Sequence, residues 1–360
     1  MKKIQSAKNL KGKKILVRVD YNLPFKGDKA EDDFRVRASL PTINFLQKKG
    51  AKIILITHLG KGGESLAKVV KVLNKYVKAK FVIDILGPKT KDAISKMKDG
   101  DVILLENLRN DKGEQECSRV FALGLSQLAD VYVNEAFSVS HREDASIVLL
   151  PKILPSYAGI QFEKEVTNLA RVFKKTKHPF LFILGGAKFS TKMPLIKKYL
   201  KLADSVFIGG ALLNDFLKMK GYEVGQSLVD DGEYDMGSLL KNKKIILPEY
   251  VMVQKGSKIL KRKVGEIEKD ETIIDIASES IEELAQVVKK SKMILWNGPI
   301  GKFENGGDKA TKELLKMVAG AKAETVLGGG DTVVLVDEMK IADKFSFVST
   351  GGGATLDFLV

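Results

Sequence analysis

The sequence lacks several features that would place the chain outside the ordinary globular proteins. A single cysteine, Cys117, in 360 residues rules out an internal disulfide and a metal cluster held by cysteines. The apolar runs are too short to span a membrane, and the basic amino terminus "MKKIQSAKNLKGKK" carries no apolar segment or cleavage site of a secretory signal. These absences predict a cytoplasmic protein that does not depend on a membrane.

Familiar nucleotide-binding motifs are missing as well. No segment matches the phosphate loop G-x-x-x-x-G-K-[ST], which "GPIGKF" approaches without satisfying. No G-x-G-x-x-G follows the first predicted strand of either half, and the motif set of protein kinases is absent. The sequence therefore supports neither a P-loop enzyme nor a standard dinucleotide-binding domain.

Arginine is scarce although the chain is basic, with a formal net charge of +15. Only eight of the 60 basic residues are arginine, and six of those lie within the first 142 residues. The lysines are spread along the chain, which favours a solvated surface, with nucleic-acid binding as the alternative. The clustered arginines indicate either bidentate recognition of carboxylate or phosphate in the first half, or packing and ion pairs.

Short continuous runs of Val, Ile and Leu are abundant. The predicted strands are "KILVRV", "AKIILIT", "KFVIDI", "DVILLE" and "DVYVN" in the first half, and "PFLFIL", "SVFIG", "KIILP", "ETIIDI", "KMILWN", "ETVLG" and "FSFVST" in the second. Runs without alternation are typical of parallel strands buried on both faces, and helical segments such as "IEELAQVVKKS" separate them. So many strands predict an α/β protein with two doubly wound, Rossmann-like sheets.

The predicted domains follow from this pattern. We expect one domain over 1–158, a connecting helix over 159–175 that acts as a hinge, a second domain over 176–348, and a carboxyl-terminal segment, 349–360, near the hinge. The connecting helix is amphipathic and is bracketed by proline and glycine.

Ligands of open parallel sheets bind beyond the carboxyl ends of the strands, so the residues that follow each strand are informative. In the first half these are polar and basic: Asp20, Asn22, His58 to Lys61, Glu106 to Arg109, Asn134, His141 and Arg142. In the second half they are rich in glycine: "GGAKFSTK" (185–192), "GGAL" (209–212), "WNGPIGKFE" (296–304), "GGGDT" (328–332) and "STGGGAT" (349–355). The two halves therefore present different chemistry at equivalent edges.

Glycine turns that lead into helices aim backbone N–H groups and the helix dipole at an anion, and so many turns predict a ligand with several phosphates. Packing alone is the alternative for any single turn. Asp331 follows the triple glycine and is a candidate Mg²⁺ ligand or, alternatively, a helix N-cap. Lys188 and Lys192 are four residues apart and would share one face of a helix that starts after Gly186, near the positive end of that helix. Glu304 could accept hydrogen bonds from ribose.

Nine segments, taken together, resemble the phosphoglycerate kinase family across nearly the whole chain. They are "VRVDYNLP" (17–24), "DDFRVRASLPTI" (32–43), "THLGK" (57–61), "LLENLR" (104–109), "DVYVNEAFSVSHR" (130–142), "LGGAKFSTK" (184–192), "WNGPIGKFE" (296–304), "LGGGDT" (327–332) and "STGGGATLDFL" (349–359). The resemblance implies reversible phosphoryl transfer between 1,3-bisphosphoglycerate and ADP, giving 3-phosphoglycerate and ATP with Mg²⁺. It also implies a glycolytic or gluconeogenic enzyme that is a monomer and requires no nucleic acid.

The resemblance also assigns site residues. The set implied for 3-phosphoglycerate is Asp20, Tyr21, Asn22, Arg35, His58, Leu59, Gly60, Lys61, Arg109 and Arg142. The set implied for the nucleotide is Gly185, Gly186, Ala187, Lys188, Lys192, Gly209, Asn297, Pro299, Glu304, Gly328, Gly329, Gly330, Asp331 and Thr332, with Asp331 as the metal ligand. The residues expected to act on the transferred phosphoryl group are Arg35, Lys192, Gly351 and Gly352.

The chain departs from the family pattern in four places. Lys61 replaces a usual arginine, which weakens the expectation of a bidentate contact there. Asp144 stands where a second histidine is common, and the "HLGKGGESL" loop is short. The sequence also stops before the family's usual tail back to the first domain, which predicts a looser open state.

Two rival classes share parts of this chemistry. A nucleotide-binding scaffold or regulator on the same fold would use the basic charge for nucleic acid and would show a damaged glycerate site. A kinase acting on an amino-acid carboxylate fits the chemistry but not the motifs.

Overall fold

The computed structural model describes residues 1–187, 189–230, 232, 237–303 and 306–360. These residues form two compact units, Met1–Thr167 and Asn168–Val360. Each unit is built on its own parallel sheet.

The first unit, whose residues are all described, has a main sheet of six parallel strands. In spatial order they are Ala79–Phe81 (β5), Val102–Leu104 (β6), Lys52–Ile56 (β4), Lys14–Arg18 (β1), Val131–Asn134 (β7) and Ser156–Ala158 (β8). Within β1, Ile15 and Val17 pack into one core cluster while Leu16 packs into another. Both faces are thus covered, which is why the run of apolar residues does not alternate. A small hairpin, Phe25–Lys26 (β2) and Lys29–Ala30 (β3), stands apart from this sheet.

Helices cover the two faces of the first sheet. They are Phe34–Lys48 (α1), Ala67–Leu73 (α2), Pro88–Ser95 (α3), Lys112–Gln115 (α4), Arg119–Ser126 (α5), Ala145–Val148 (α6) and Leu150–Ile153 (α7), with 3₁₀ turns at Ile4–Ser6, Leu108–Asn110 and Phe137–Val139. The next helix, Ile160–Lys174 (α8), begins in the first unit and ends in the second. It covers nearly the range predicted for the connecting helix.

The start of α8 is held by two side chains of the first unit. The hydroxyl of Thr42 accepts from the amide of Ile160 at 2.7 Å. The carboxylate of Glu135 accepts from the amides of Gln161 and Phe162, each at 3.1 Å, and from the Thr42 hydroxyl at 2.5 Å. Three amide groups that a helix start leaves without an intrahelical partner are therefore satisfied.

Among the described residues of the second unit, the main sheet also has six parallel strands. In spatial order they are Ile245–Ile246 (β11), Ser205–Ile208 (β10), Phe180–Leu184 (β9), Met293–Asn297 (β15), Glu324–Gly328 (β16) and Phe347–Val348 (β17). Counted along the chain, the order is 3-2-1-4-5-6, which is the doubly wound Rossmann arrangement. The strand order reverses between β9 and β15, so a ligand crevice is expected at their carboxyl ends.

One predicted strand belongs to a different sheet. The run "ETIIDI" was expected in a parallel sheet, but Thr272–Ile276 (β14) pairs antiparallel with Tyr250–Lys255 (β12), which in turn pairs with Lys258–Lys263 (β13). That assignment was wrong because Val251 and Val253 of the hairpin form a separate small core, against which Ile273 packs. The strand β13 was missed because lysines break its apolar run, and β12 was missed because only its Val251 and Val253 are buried.

Helices of the second unit connect its strands. Those described are Phe189–Leu202 (α9), Ala211–Met219 (α10), Gly237–Leu240 (α11), Ser278–Lys290 (α12), Lys309–Ala319 (α13), Gly330–Glu338 (α14) and Gly353–Leu359 (α15), with 3₁₀ turns at Val264–Glu266 and Ala342–Lys344. A search of the described part of the chain finds no helix with both the length and the apolar character needed to cross a membrane.

Candidate functional site

The parallel strands of the first unit deliver polar side chains to one sheet edge. Asp20 follows β1, His58 follows β4, and Arg109 lies in the 3₁₀ turn after β6. All three are more than nine-tenths buried. Because the carboxyl ends of parallel strands meet, residues far apart in sequence are brought together here.

Arg18, the last residue of β1, organises this edge from below. Its guanidinium is fully buried and donates to Ser146 Oγ at 2.9 Å, to the Val19 carbonyl at 2.6 Å and to His58 Nδ1 at 3.2 Å. Glu114 lies 3.7 Å from the guanidinium and accepts from the Ser146 hydroxyl at 2.6 Å. A buried charge of this kind is tolerated only when it is paired and hydrogen bonded, as it is here.

The surrounding charges and burial set the protonation states at this edge. Burial, and then the nearby charge of Arg18, lower the pKa of His58 to about 3, against the opposing effect of Asp20. Burial alone would raise the pKa of Asp20, but Arg35 and His58 outweigh it and the pKa falls to about 2. The imidazole is therefore neutral and the carboxylate ionised at neutral pH.

Arg35 and Asp20 form the outward-facing part of the cluster. The guanidinium of Arg35, on α1, lies 3.0 Å from Asp20 Oδ2 and donates to the carbonyl of Asn22 at 2.9 Å. Ser138 donates a hydrogen bond to the same carboxylate. The Arg35 side chain is 30% exposed, so part of its guanidinium is left for a ligand.

Arg109 is the second arginine of the cluster, and Asp144 faces it. Arg109 donates to the carbonyl of Gly60 at 2.6 Å, and its Nη2 lies 3.7 Å from Asp144 Oδ2. Those two facing atoms, with Arg109 Nε, are buried and have no hydrogen-bond partner within the described chain. Burial and the charge of Arg142 lower the pKa of Arg109, while Asp144 opposes them. Asp144, the departure from the family pattern, is thus a buried counter-charge in the arginine cluster.

The other residues predicted for this site differ in whether their side chains are buried or exposed. The Tyr21 side chain is fully buried with its hydroxyl 2.7 Å from Ser39 Oγ, and the Leu59 side chain lies in the core, so neither side chain reaches the surface. The side-chain oxygen of Asn22 accepts from the amide of Gly60 at 2.9 Å. Lys61 and Arg142 are exposed.

The glycine turns at the edge of the second sheet interlock. A Cβ on Gly185, after β9, would collide with the carbonyl oxygen of Pro299, after β15. A Cβ on Gly298 would lie 2.6 Å from the carbonyl oxygen of Gly185, and one on Gly329 would lie 2.7 Å from the amide nitrogen of Gly298. Close packing therefore explains why these turns need glycine. The absence of side chains lets the backbones of the turns approach one another around the crevice.

Further predicted glycines differ in their surroundings. A Cβ on Gly209 would meet Ile300 at 2.6 Å, and one on Gly328 would meet the Asn297 amide at 3.0 Å. At Gly330 and Gly352, by contrast, a Cβ would meet nothing within 4 Å. These two open glycines stand at the starts of α14 and α15, where unpaired amides and the helix dipole favour an anion.

Lys192 lies in the first turn of α9 and is more than nine-tenths buried. Its ammonium donates to Asn297 Oδ1 at 3.3 Å, and Asn297 Nδ2 has no partner among the described residues. Burial lowers the pKa of Lys192 to about 8, although Asp357 opposes this. A cation held at a helix start without full compensation is suited to an anionic ligand. Lys188, predicted beside it, lies outside the described residues.

Asp331 is exposed and is the second residue of α14. The N-cap of that helix is Gly329, so the alternative role of Asp331 as N-cap is wrong. Thr332, next along, is fully buried with its hydroxyl lacking a partner within the described chain. The described residues contain no group of three or more His, Cys, Asp or Glu arranged to hold a metal ion. A carboxylate oxygen beside this glycine turn has the chemistry that Mg²⁺ prefers, since Mg²⁺ takes few protein ligands and keeps water and phosphate as the others.

A cavity of about 480 Å³ lies beside these turns in the second unit. Its lining includes Gly186, Ala187, Pro299 and Asp331, together with mainly apolar side chains. Those apolar side chains are Leu213, Leu228, Ile273, Ile274, Ile276, Ile300 and Phe303. A cavity of this size and character suits a flat heterocycle. Glu304, predicted to accept from ribose, lies outside the described residues.

Three residues that support the first edge were not assigned to the site from the sequence. Asn107 was noted only among the polar residues that follow a strand; it is fully buried and binds the Leu59 amide at 3.1 Å and the Leu59 carbonyl at 2.9 Å, fixing the loop after β4. Arg18 was noted only among the clustered arginines, with packing and ion pairs as one reading. Ser146 was missed, because a serine in a short helix carries no signal in one sequence.

Comparison with known proteins gives a consistent result. The family model described as phosphoglycerate kinase matches residues 4–360. The phosphoglycerate kinase of Aquifex aeolicus (strain VF5) is 41% identical over 371 residues, covering 98% of this chain and 94% of that protein. That of Dictyoglomus turgidum is 38% identical over 374 residues, covering 98% of this chain and 93% of that protein.

Solved structures agree with these relatives. The crystal structure of phosphoglycerate kinase from Pyrococcus horikoshii OT3 superposes with a TM-score of 0.89 at 29% identity, covering 100% of this chain and 96% of that one. The structure of phosphoglycerate kinase from Coxiella burnetii gives a TM-score of 0.81 at 31% identity, covering 99% and 95%.

Proposed function

This chain belongs to the phosphoglycerate kinase family, and on that premise we propose that it transfers a phosphoryl group reversibly between 1,3-bisphosphoglycerate and ADP, giving 3-phosphoglycerate and ATP. The observation that carries the proposal is the pair of contrasting sheet edges. An arginine cluster lies at one, and glycine turns with a buried lysine lie at the other.

The acceptor in the ATP-consuming direction is a carboxylate, which is already ionised at neutral pH. No general base is needed, and the neutral, deeply buried His58 does not have to act as one. Catalysis then depends on aligning the two reactants and neutralising the charge of the transferred group. Both tasks suit fixed arginine and lysine side chains and backbone amides.

We assign 3-phosphoglycerate to the first unit. Arg35 and Arg109 supply guanidinium groups, and both are already oriented by protein partners. Asp20, held ionised by Arg35, is available as an acceptor for the substrate hydroxyl. Ordered donors lose little conformational entropy on binding, which favours tight alignment.

We assign the nucleotide to the second unit. Its phosphates are proposed to lie at the starts of α14 and α15, against the amides near Gly330 and Gly352, with the base in the apolar cavity. Gly351, also expected to act there, already donates its amide to Ser349 Oγ at 3.1 Å. An anionic phosphate beside Lys192 would raise the pKa of this lysine and hold it charged. Mg²⁺ bound through Asp331 would neutralise phosphate charge, and this is the chemistry that the metal supplies.

Several finer assignments stay predictions. These are the joint action of Arg35 and Lys192 on the transferred group, the monomeric state, the cytoplasmic location and the absence of any need for nucleic acid. Each rests on the sequence and on the resemblance alone.

A coupled assay with 3-phosphoglycerate and MgATP tests the function directly. We expect ATP-dependent formation of the acyl phosphate, trapped by reduction in the coupling step, and none when 3-phosphoglycerate is replaced by glutamate or aspartate. Nucleotide binding without turnover would contradict the proposal and favour the scaffold class, whereas turnover with an amino acid would favour the other kinase class.

A further inference from the structure

The contact between Arg18 and His58 has a fixed direction. A guanidinium can only donate hydrogen bonds, so at 3.2 Å the Nδ1 atom of His58 must be the acceptor. A ring nitrogen that accepts carries no proton. The neutral imidazole therefore has its proton on Nε2, the nitrogen that points away from Arg18.

We propose that Arg18 is a positioning residue that holds His58 as the Nε2–H tautomer, so that the imidazole presents one fixed N–H donor to the glycerate ligand. The tautomer follows from the geometry of the first unit alone. The identity of the ligand rests on the proposed function.

Arg18 cannot contact a ligand itself. Its side chain has no exposed area, and its three nitrogens are directed to Ser146, Val19 and His58. Glu114 supplies the nearby negative charge and holds Ser146 through the serine hydroxyl and amide. Because these buried hydrogen bonds hold the guanidinium of Arg18 in place, its Nη2 donor stays directed at Nδ1 of His58.

Four charged side chains face His58, and three of them disfavour its protonation. Arg18 belongs to β1, Arg109 to the turn after β6 and Arg142 to the loop after β7, and all three disfavour a second proton on the ring. Asp20, after β1, favours protonation. With burial added, the balance keeps the pKa of His58 near 3, so the donor on Nε2 does not change between pH 5 and 8.

Long-range ¹H–¹⁵N correlation spectra of the uniformly labelled full chain test the tautomer directly. The protein has three histidines, and the exposed His141 and His178 serve as references in the same spectra, with assignments from His141→Gln and His178→Gln. We expect His58 Nδ1 at the shift of an unprotonated ring nitrogen and Nε2 at that of a protonated one, unchanged from pH 8 to pH 5. An imidazolium pattern at pH 7, or a proton on Nδ1, would overturn the proposal.

Kinetics of Arg18→Met test the consequence. This change removes the donor with little change in side-chain length, so the His58 signals should broaden into a mixture of tautomers and shift with pH. Loss of an aligned donor to a charged ligand should raise KM for 3-phosphoglycerate roughly tenfold or more, with a smaller change in kcat. KM for ADP should stay the same, since the nucleotide residues belong to the other unit.

Tyr132→Phe provides the matched control. It removes a buried hydrogen bond, from the Tyr132 hydroxyl to the Ser146 carbonyl at 2.8 Å, without removing a group that contacts His58. We expect the wild-type tautomer and KM. If Arg18→Met raised KM while His58 kept the Nε2–H pattern, or if Tyr132→Phe had the same effect as Arg18→Met, the positioning role would be refuted. If Arg18→Met does not fold, the wild-type spectra still decide the tautomer, and they do so whether or not the protein turns over.

Discussion

The two sheet edges present positive charge by different means. In the first unit the positive charge comes from side chains, chiefly Arg35 and Arg109, whose positions are fixed by contacts to Asp20 and to the Gly60 carbonyl. In the second unit much of it comes from the backbone, through glycine turns and the starts of α14 and α15, with Lys192 added. The same sheet architecture thus supports two recognition strategies.

This difference predicts how substitutions at each edge affect ligand binding and folding. Side-chain recognition can be removed one group at a time, because the backbone beneath it survives the substitution. Backbone recognition depends partly on turns that pack against one another, and a change at such an interlocked turn damages the fold before it affects a ligand. Substitutions that separate these two kinds of damage test the comparison.

Arg35→Ala should have the largest effect. We expect kcat to fall roughly 10³-fold, because a charge-stabilising group in phosphoryl transfer is lost, while KM for ADP changes little. Arg37→Ala is the matched control, since Arg37 lies on the same helix and pairs with Asp33 at 2.7 Å. Steady-state kinetics with both substrates check this, and a kcat near wild type would remove Arg35 from the catalytic set.

Gly185→Ala should act on folding. The new methyl group collides with the Pro299 carbonyl, and we expect a loss of about 3 kcal/mol in the free energy of unfolding. Gly330→Ala is the counterpart, because its methyl group would meet no protein atom within 4 Å. It should fold normally and weaken ADP binding. Urea unfolding and ADP titration separate the two, and equal stabilities would contradict the interlocked packing.

Asp331→Asn should have a smaller, metal-dependent effect. We expect MgADP to bind roughly tenfold more weakly, equivalent to about 1.4 kcal/mol, with no change for ADP in the presence of a chelator. Asp337→Asn removes the same charge further along α14 and serves as the control. Calorimetric titration with and without Mg²⁺ checks this. An equal loss in both conditions would argue against a metal ligand.

The smallest expected effects concern pH and have opposite signs in the two units. Burial raises the pKa of Asp275, in the second unit, to about 6, so folding favours its protonated form and its contribution to stability falls as pH rises through 6. The pKa of His58 falls to about 3, so its contribution falls as pH drops below its unfolded value of 6.5. Between pH 7 and pH 5 the two contributions change on the order of 1 kcal/mol in opposite directions.

Variants isolate the two contributions. Asp275→Asn should make acidification more destabilising than in the wild type, and His58→Gln should make it less so. Urea unfolding at pH 7 and pH 5 measures both, and changes of the same sign would show that the two groups do not titrate as assigned.

The sequence predicted the parts of the fold that depend on continuous burial. Runs such as "PFLFIL" and "KILVRV" became strands of the two parallel sheets because both of their faces are covered. The hairpin β12–β13 was not predicted, since β13 has no buried residue and three of its six residues are lysine, so it shows no apolar run. The short strand β8 carries too few residues to show any period.

The site could be predicted from the sequence only where a charged or polar residue directly follows a predicted strand. Asp20 and His58 follow strands directly, and the structure brings them to one edge. Tyr21 sits among them in sequence, but its side chain turns inward to Ser39, and only the pleat of the folded chain decides that. The role of Arg18 could not be predicted, because it depends on Glu114 and Ser146, which are distant in sequence.

The capped start of α8 has a consequence for dissecting the chain. Glu135 and Thr42 are buried, and their acceptors are satisfied by amides of residues 160–162. A fragment that stopped at residue 158 would lose these three amide donors and leave Glu135 with only the Thr42 hydroxyl. A fragment of the first unit should therefore include the opening turn of α8, and cleavage inside that turn would cost the unit stability and not merely trim a linker.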